Sequence, residues 1–203
     1  MTEKERMLAG EIYDSSEKEL VDMRAFAHKL CKQYNESLEE EEEKRKELLD
    51  KLFPTHKDGV YLQGPIYIDY GCNTKLGKNF YANFNFTVLD TCPVNIGDDV
   101  LVGPNVSIVT PLHPMCYTER NMRTRPNGEV YDYEYGKPIT IGNNCWIASN
   151  VTIIGGVTIG DGSVIGAGSV VTKDIPAGSL AYGNPCRVIR QITEDDLMNF
   201  GRE

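Results

Sequence analysis

Residues 139–174, set out in sixes, read ITIGNN, CWIASN, VTIIGG, VTIGDG, SVIGAG, SVVTKD. Ile141, Ile147, Ile153, Ile159, Ile165 and Val171 fall on an unbroken period of six. A small or β-branched residue stands four places after each isoleucine, at Cys145, Val151, Val157, Ser163 and Ser169. Side chains of a strand alternate with period two, so a six-residue unit makes one short strand and a turn. Three units return the chain to its starting side, and every sixth side chain then points to the axis of a triangular solenoid. The glycines and asparagines of GNN, GG and GDG suit corners that need positive φ. A single coil cannot bury its inner face, so the array is stable only as a stack. The spacing predicts a parallel β-helix.

The beat extends upstream through Ile96, Val102 and Ile108, and before that through Leu76, Ala82 and Val88, with an eight-residue step to Ile96. From Ile108 to Ile141 the distance is 33 residues, which is not a multiple of six. The interruption, PLHPMCYTERNMRTRPNGEVYDYEYGKP (111–138), is polar and contains prolines and tyrosines, and excursions of this length inside a compact domain are usually either functional or disordered. His113 sits where the solenoid releases the chain, between Pro111 and Pro114, whose rings restrict the backbone on either side.

Before residue 58 the grammar is helical. In DSSEKELVDMRAFAHKLCKQYN (14–35) the apolar positions Leu20, Met23, Phe26, Ala27 and Leu30 recur at three and four behind cap residues. A second helix is expected from near Ser37 through LEEEEEKRKELLDKLF (38–53), its acids early and its bases later, with Pro54 closing the segment. The expected organisation is a helical segment at 1–57, a solenoid at 58–190 with a long loop at 111–138, and a tail at 191–203. His28 and His56, outside the repeats, are expected to face solvent.

The six cysteines stand far apart, with no C-x-x-C pair, and are expected to be small buried thiols in a reducing compartment. A net charge of −9 argues against nucleic acid and anionic membrane surfaces as partners. No apolar run approaches the ~20 residues needed to span a bilayer, and the N-terminus lacks a secretory pattern, so the chain is expected in the cytoplasm. No metal site is expected, since only one histidine lies in the repeat region.

The hexapeptides, the stretch ANFNFTVLDTCPVNIGDDVLVGPNVSI (82–108), the lone histidine of PLHP, the tract VTKDIP (171–176), GNPCRVIR (183–190) and the early MLAGEIYD (7–14) together resemble the maltose/galactoside O-acetyltransferase family. The resemblance covers nearly the whole chain. It implies a mainly β, left-handed parallel β-helix behind a short helical segment, an exception to the usual right-handed crossover. It further implies a homotrimer with active sites between subunits, and acetyl transfer from acetyl-CoA to a sugar hydroxyl.

The family's general base matches His113, and an imidazole titrating near neutrality suits deprotonation of a hydroxyl during attack. Transfer is direct, without a protein nucleophile. By the same resemblance, Asp14, Asp69, Asn83 and Trp146 match substrate-side positions, and the backbone at Ser149 matches a donor to the developing oxyanion. Ala167 and Thr172 match positions along the pantetheine arm. Lys173, Arg187 and Arg190 match positions near the nucleotide phosphates, and three cations together in an acidic protein make chemical sense as a phosphate clamp. Galactoside-preferring relatives tend to carry a second acid after Asp90, where this chain has Thr91, which tilts the acceptor toward glucose or maltose. The rival expectations are another acceptor (serine, a chloramphenicol-like xenobiotic or an oligosaccharide), a non-catalytic scaffold, and a zinc hydrolyase, which would need three histidines.

Overall fold

The computed structural model describes residues 1–199, and in it the six-residue beat becomes three stacks of short parallel strands. The first face holds Tyr61–Leu62, Tyr81–Ala82, Leu101–Val102, Trp146–Ile147, Val164–Ile165 and Ser179–Gly183. The second holds Ile66–Ile68, Phe86–Leu89, Ser107–Val109, Thr152–Ile154 and Val170–Val171. The third holds Thr74–Leu76, Val94–Ile96, Ile139–Ile141 and Thr158–Ile159. Consecutive strands visit consecutive faces, and the result is a triangular parallel β-helix. Register sets each inward residue over its counterpart, as in the column Val88, Ile108, Ile153 and Val171. The six predicted period-six residues are all buried, none more than 1% exposed.

The glycines of the repeat do two different jobs. Positive φ recurs three places after each inward residue, at Asn144, Asn150, Gly156, Gly162 and Gly168. The glycine directly after the inward residue is there for closeness instead. A Cβ on Gly77 would lie 2.1 Å from the Gly97 carbonyl oxygen, and one on Gly142 would lie 2.1 Å from the Asp161 carboxylate. The expected corner role therefore holds for Asn144 and Gly162, whereas Gly142 lets neighbouring coils touch.

Every departure from the six-residue step in the first three coils falls on one edge, between the second and third faces. Ile68 to Leu76 and Val88 to Ile96 are steps of eight, and Ile108 to Ile141 is the long interruption. These enlarged corners are stitched to each other. Asp90, fully buried, accepts from the Tyr70 backbone N–H at 2.8 Å and from the Thr74 hydroxyl at 2.9 Å in the coil above. Thr91, also buried, meets the Thr110 hydroxyl at 3.0 Å in the coil below, so its side chain is spent inside the stack.

Burial pushes the Asp90 carboxyl up to about 6 despite those donors. The folded chain thus holds this proton more tightly than the unfolded chain, whose carboxyl titrates near the usual 3.8. The contribution to stability is complete below pH 4 and is lost as pH rises through about 6, a fall of about 3 kcal/mol. Asp90→Asn is expected to flatten the pH dependence of urea unfolding between pH 4 and 7. An unchanged slope across that window would exclude Asp90 as its source.

The start of the chain packs on this same edge, where the Cys92 thiol donates to the Met7 carbonyl, and the residues that follow close the first coil, joining the core with Leu62 and Ile66. Helices span Glu3–Ala9, Lys18–Asn35 and Glu42–Leu52. The last begins five residues after Ser37, whose hydroxyl instead closes the preceding helix on the Tyr34 carbonyl at 2.6 Å. Of the predicted apolar stripe, Leu20, Ala27 and Leu30 are buried, but Phe26 is 56% exposed. Arg45 is buried against the Tyr34 and Tyr61 rings and donates to the Leu62 and Gln63 carbonyls, fastening the helices to the first coil. His56 is not solvent-facing as expected. It is held by Asp50 at 2.7 Å and the Lys57 carbonyl at 2.8 Å. Cys72 and Cys116 are exposed, against the expectation of buried thiols, while the other four are buried and all six are free.

At the far end, Ser179–Gly183 pairs antiparallel with Cys186–Gln191, and Glu194–Asp196 forms a short 3₁₀ turn. Residues 200–203 of the expected tail lie outside the described residues. Among the described residues, no helix is long and apolar enough to cross a membrane.

Candidate active site

The interruption does not run as a featureless loop. Pro111–Leu112, leaving the solenoid, pairs antiparallel with Tyr133–Gly136, returning to it, and that strand pairs on its other side with Tyr13–Asp14. In this small sheet Tyr13 faces Glu134 and Leu112 faces Tyr135, which brings His113 level with Glu134. Opposed residues share a side, so Tyr13, Glu134 and His113 form one row, with Ser15 and Asp132 beside them. The contacts agree. The Tyr13 hydroxyl donates to Glu134 at 2.7 Å, and the Ser15 hydroxyl donates to Asp132 Oδ1 at 3.0 Å. Burial pushes the Tyr13 phenol far above its usual range, so it remains a neutral donor.

His113 is exposed in the single chain, and its ring has no hydrogen-bond partner among the described residues. One ring nitrogen and one carboxylate oxygen each from Asp132 and Glu134 lie within 4.8 Å of one another. Sequence reasoning missed both acids. Their signal was the alternation of Tyr131, Asp132, Tyr133, Glu134 and Tyr135, a half-buried strand pattern inside what read as a loop.

Asp14 lies next to this row but on the other side of the sheet. Its carboxylate is buried and held by the Ser16 backbone N–H at 2.9 Å, the Ser16 hydroxyl at 2.7 Å and the Arg125 guanidinium. Burial pushes this carboxyl up, and those donors outweigh it and hold it below the usual range. The structure therefore does not bring Asp14 together with His113.

Asp69 does share the edge. It follows the strand Ile66–Ile68, and its N–H donates to the Val88 carbonyl two coils from where the chain leaves for His113. Its side chain lines a cavity of about 420 Å³ with Ile68 and Leu89, against His28 at 3.4 Å, and burial raises its pKa. A cavity of about 680 Å³ lies between the helices and the first coil, lined by Tyr34, Arg45, His56 and Tyr61. None of the predicted site residues lines it.

Asn83, Trp146, Ser149 and Ala167 are elsewhere. Trp146 stands outward on the first face, 53% exposed, in a column with Tyr81, Leu101 and Val164. Asn83, Ser149 and Ala167 occupy the corner where the first face turns into the second. Asn83 accepts from the Phe84 N–H at 2.8 Å through its side-chain oxygen, leaving its amide nitrogen available. The Ser149 N–H donates to no acceptor among the described residues, although its neighbours Ala148 and Asn150 both do. The same is true of the equivalent N–H of Gly155, Asp161 and Ala167, so a free N–H is general to this place in the repeat.

A strand of the second face separates this corner from the edge that carries His113. The five residue steps from Asn105 to Thr110 cover about 16 Å. Thr172 and Lys173 lie beyond Val170–Val171, on the His113 edge but two coils further on. Arg187 donates to the Cys186 carbonyl at 2.8 Å, and Arg190 forms a bidentate pair with Asp196 at 2.6 and 2.7 Å. One of the three predicted clamp cations is thus already paired within the chain.

Residues 6–57 match the model of the maltose acetyltransferase hexapeptide capping motif, and residues 138–173 match that of the bacterial transferase hexapeptide with six repeats. The galactoside O-acetyltransferase of Escherichia coli K12 is 45% identical over 95% of this chain and 90% of its own. A solved maltose O-acetyltransferase from Clostridium difficile 630 superposes with a TM-score of 0.85 at 46% identity, covering 96% of this chain and 99% of that one. A solved galactoside acetyltransferase in complex with coenzyme A gives 0.87 at 45% identity, over 97% and 94%.

Proposed function

Because the chain belongs to the maltose/galactoside O-acetyltransferase family and is an acyltransferase, we propose that it moves an acetyl group from acetyl-CoA to a hydroxyl of a sugar of the maltose/glucose or galactoside type. His113 takes the proton of the acceptor hydroxyl as that oxygen attacks the thioester carbonyl. Glu134 stands behind the ring and favours the imidazolium that forms, with Tyr13 holding the carboxylate in place. The carbonyl oxygen gains charge and is received by the Ser149 N–H, with the Asn83 amide nitrogen beside it. Collapse expels the coenzyme A thiolate, and the imidazolium returns its proton to that sulfur.

The single observation that carries this reading is the placement of the base and the oxyanion donors on different edges of one solenoid. A chain cannot close them on one thioester by itself, because a full strand of the second face lies between. A neighbouring copy that sets its Asn83–Ser149 corner against the His113 edge brings them together. A closed ring of three such copies gives three equivalent clefts, each between two subunits. Coenzyme A would lie along that seam, its arm past Ala167 of one copy and Thr172 of the next, its phosphates toward Lys173 and Arg187. Arg190 joins them only by leaving Asp196. Asp69 and Trp146 border the acceptor end. The cytoplasm, where acetyl-CoA is available, is the compartment this chemistry needs.

An acceptor panel tests the reading: glucose, maltose, a thiogalactoside, serine and chloramphenicol, assayed by thiol release from acetyl-CoA. One of the three sugars is expected to turn over fastest, and turnover confined to serine or chloramphenicol would overturn the sugar assignment. Lys173→Ala removes one charge-assisted contact and is expected to raise the KM for acetyl-CoA about tenfold, leaving the sugar KM within twofold. Equal changes in both constants would remove Lys173 from the phosphate site.

A further inference from the structure

We propose that His113, Asp132 and Glu134 form a divalent-cation site of the zinc class, and that filling it shuts the enzyme off. The donor set is one imidazole nitrogen and two carboxylate oxygens, mutually within 4.8 Å. Ligand atoms around a tetrahedral zinc with bonds near 2.1 Å stand about 3.4 Å apart, so side-chain rotations of roughly an ångström close the site. Nitrogen and carboxylate oxygen together suit zinc and its first-row neighbours better than magnesium or calcium.

Two further observations point to a cation. Neither Asp132 nor Glu134 has a cationic partner within 4.0 Å among the described residues, so two negative charges face the ring uncompensated. Arg125 is committed to Asp14 on the other side, and Arg24, beside this row, spends its guanidinium on the Tyr70 hydroxyl and the Ser15 carbonyl. Each acid is also braced from outside the cluster, Glu134 by the Tyr13 hydroxyl and Asp132 by the Ser15 hydroxyl. Such outer donors fix the direction in which a carboxylate presents its free oxygen to a metal. Counting histidines in the sequence could not find this site, because two of its three ligands are acids some twenty residues away along the loop.

Zinc there would occupy the imidazole lone pair that takes the acceptor proton. The inhibition, though not the binding, rests on the acetyl-transfer reading above. The chain also exposes the free thiols of Cys72 and Cys116, and thiolate is itself a zinc ligand, so the experiment starts from the Cys72→Ser/Cys116→Ser background. Zn²⁺ alone is titrated calorimetrically into the full chain, without acetyl-CoA. One ion per chain is expected at micromolar affinity, weakened at least about tenfold in Asp132→Asn and in Glu134→Gln.

In the same background, micromolar Zn²⁺ should protect His113 from diethylpyrocarbonate, read by peptide mass spectrometry, which needs no further variant to fold. Asp132→Asn should retain turnover while losing sensitivity to zinc. Absence of binding, or affinity unchanged by both carboxylate substitutions, would overturn the site. Binding without inhibition in an active enzyme would overturn the switch. Binding in a chain that fails to transfer acetyl groups would leave the site standing and the acetyl-transfer reading in default.

Discussion

Turnover of the His113→Ala enzyme with its best acceptor is expected to fall about 10³-fold, with acetyl-CoA affinity and melting temperature close to wild type. The loss follows from chemistry. A sugar hydroxyl is a poor nucleophile near neutral pH, and a positioned base contributes about 10²–10⁴-fold. The unchanged stability follows from place. The ring stands outside the solenoid, exposed, with no hydrogen bond to lose among the described residues, so truncation opens no cavity in the core. Turnover within tenfold of wild type would take His113 out of the mechanism.

The same variant also probes the assembly. If base and oxyanion donors come from different chains, oligomers mixed from His113→Ala and Asn83→Ala subunits contain some clefts with both residues intact. Activity should return on mixing two poorly active proteins. A site built within one chain gives no such recovery.

Gly77→Ala should destabilise the fold by more than about 3 kcal/mol, in contrast to Gly162→Ala, which should cost about 1–2 kcal/mol. A Cβ on Gly77 would lie 2.1 Å from the Gly97 oxygen and 2.2 Å from its carbonyl carbon. Both atoms are backbone of the next coil and cannot swing aside, so the stack must part and lose ladder hydrogen bonds locally. At Gly162 nothing lies within 4 Å, and the cost is only that of a φ of +66° in a residue with a Cβ. Urea unfolding of the two variants under one condition decides it. Equal losses would mean that backbone conformation, rather than contact between coils, is what glycine supplies to the repeat.

The period of six was enough to give the β-helix, its inward residues and its interruption. A solenoid is built from nearest-neighbour contacts, so the local pattern repeated along the chain is nearly the whole of its architecture. Left-handed corners at Asn144 and Gly162 were legible for the same reason, since only a few residue types accept that conformation. His113 was legible because it stands alone beside a break in an otherwise regular beat.

What the sequence could not give is whatever depends on strands meeting out of order. Glu134 and Asp132 come beside His113 only because the interruption folds back as an antiparallel strand and Tyr13–Asp14 joins it from more than a hundred residues away. That pairing also decides sides. Strand alternation turns Tyr13 and Ser15 toward His113 and turns Asp14 away, a difference of one residue that no composition or motif reveals. The separation of Ser149 from His113 by a full face is likewise a property of the triangle, and it is this separation that the proposed meeting of two copies would bridge.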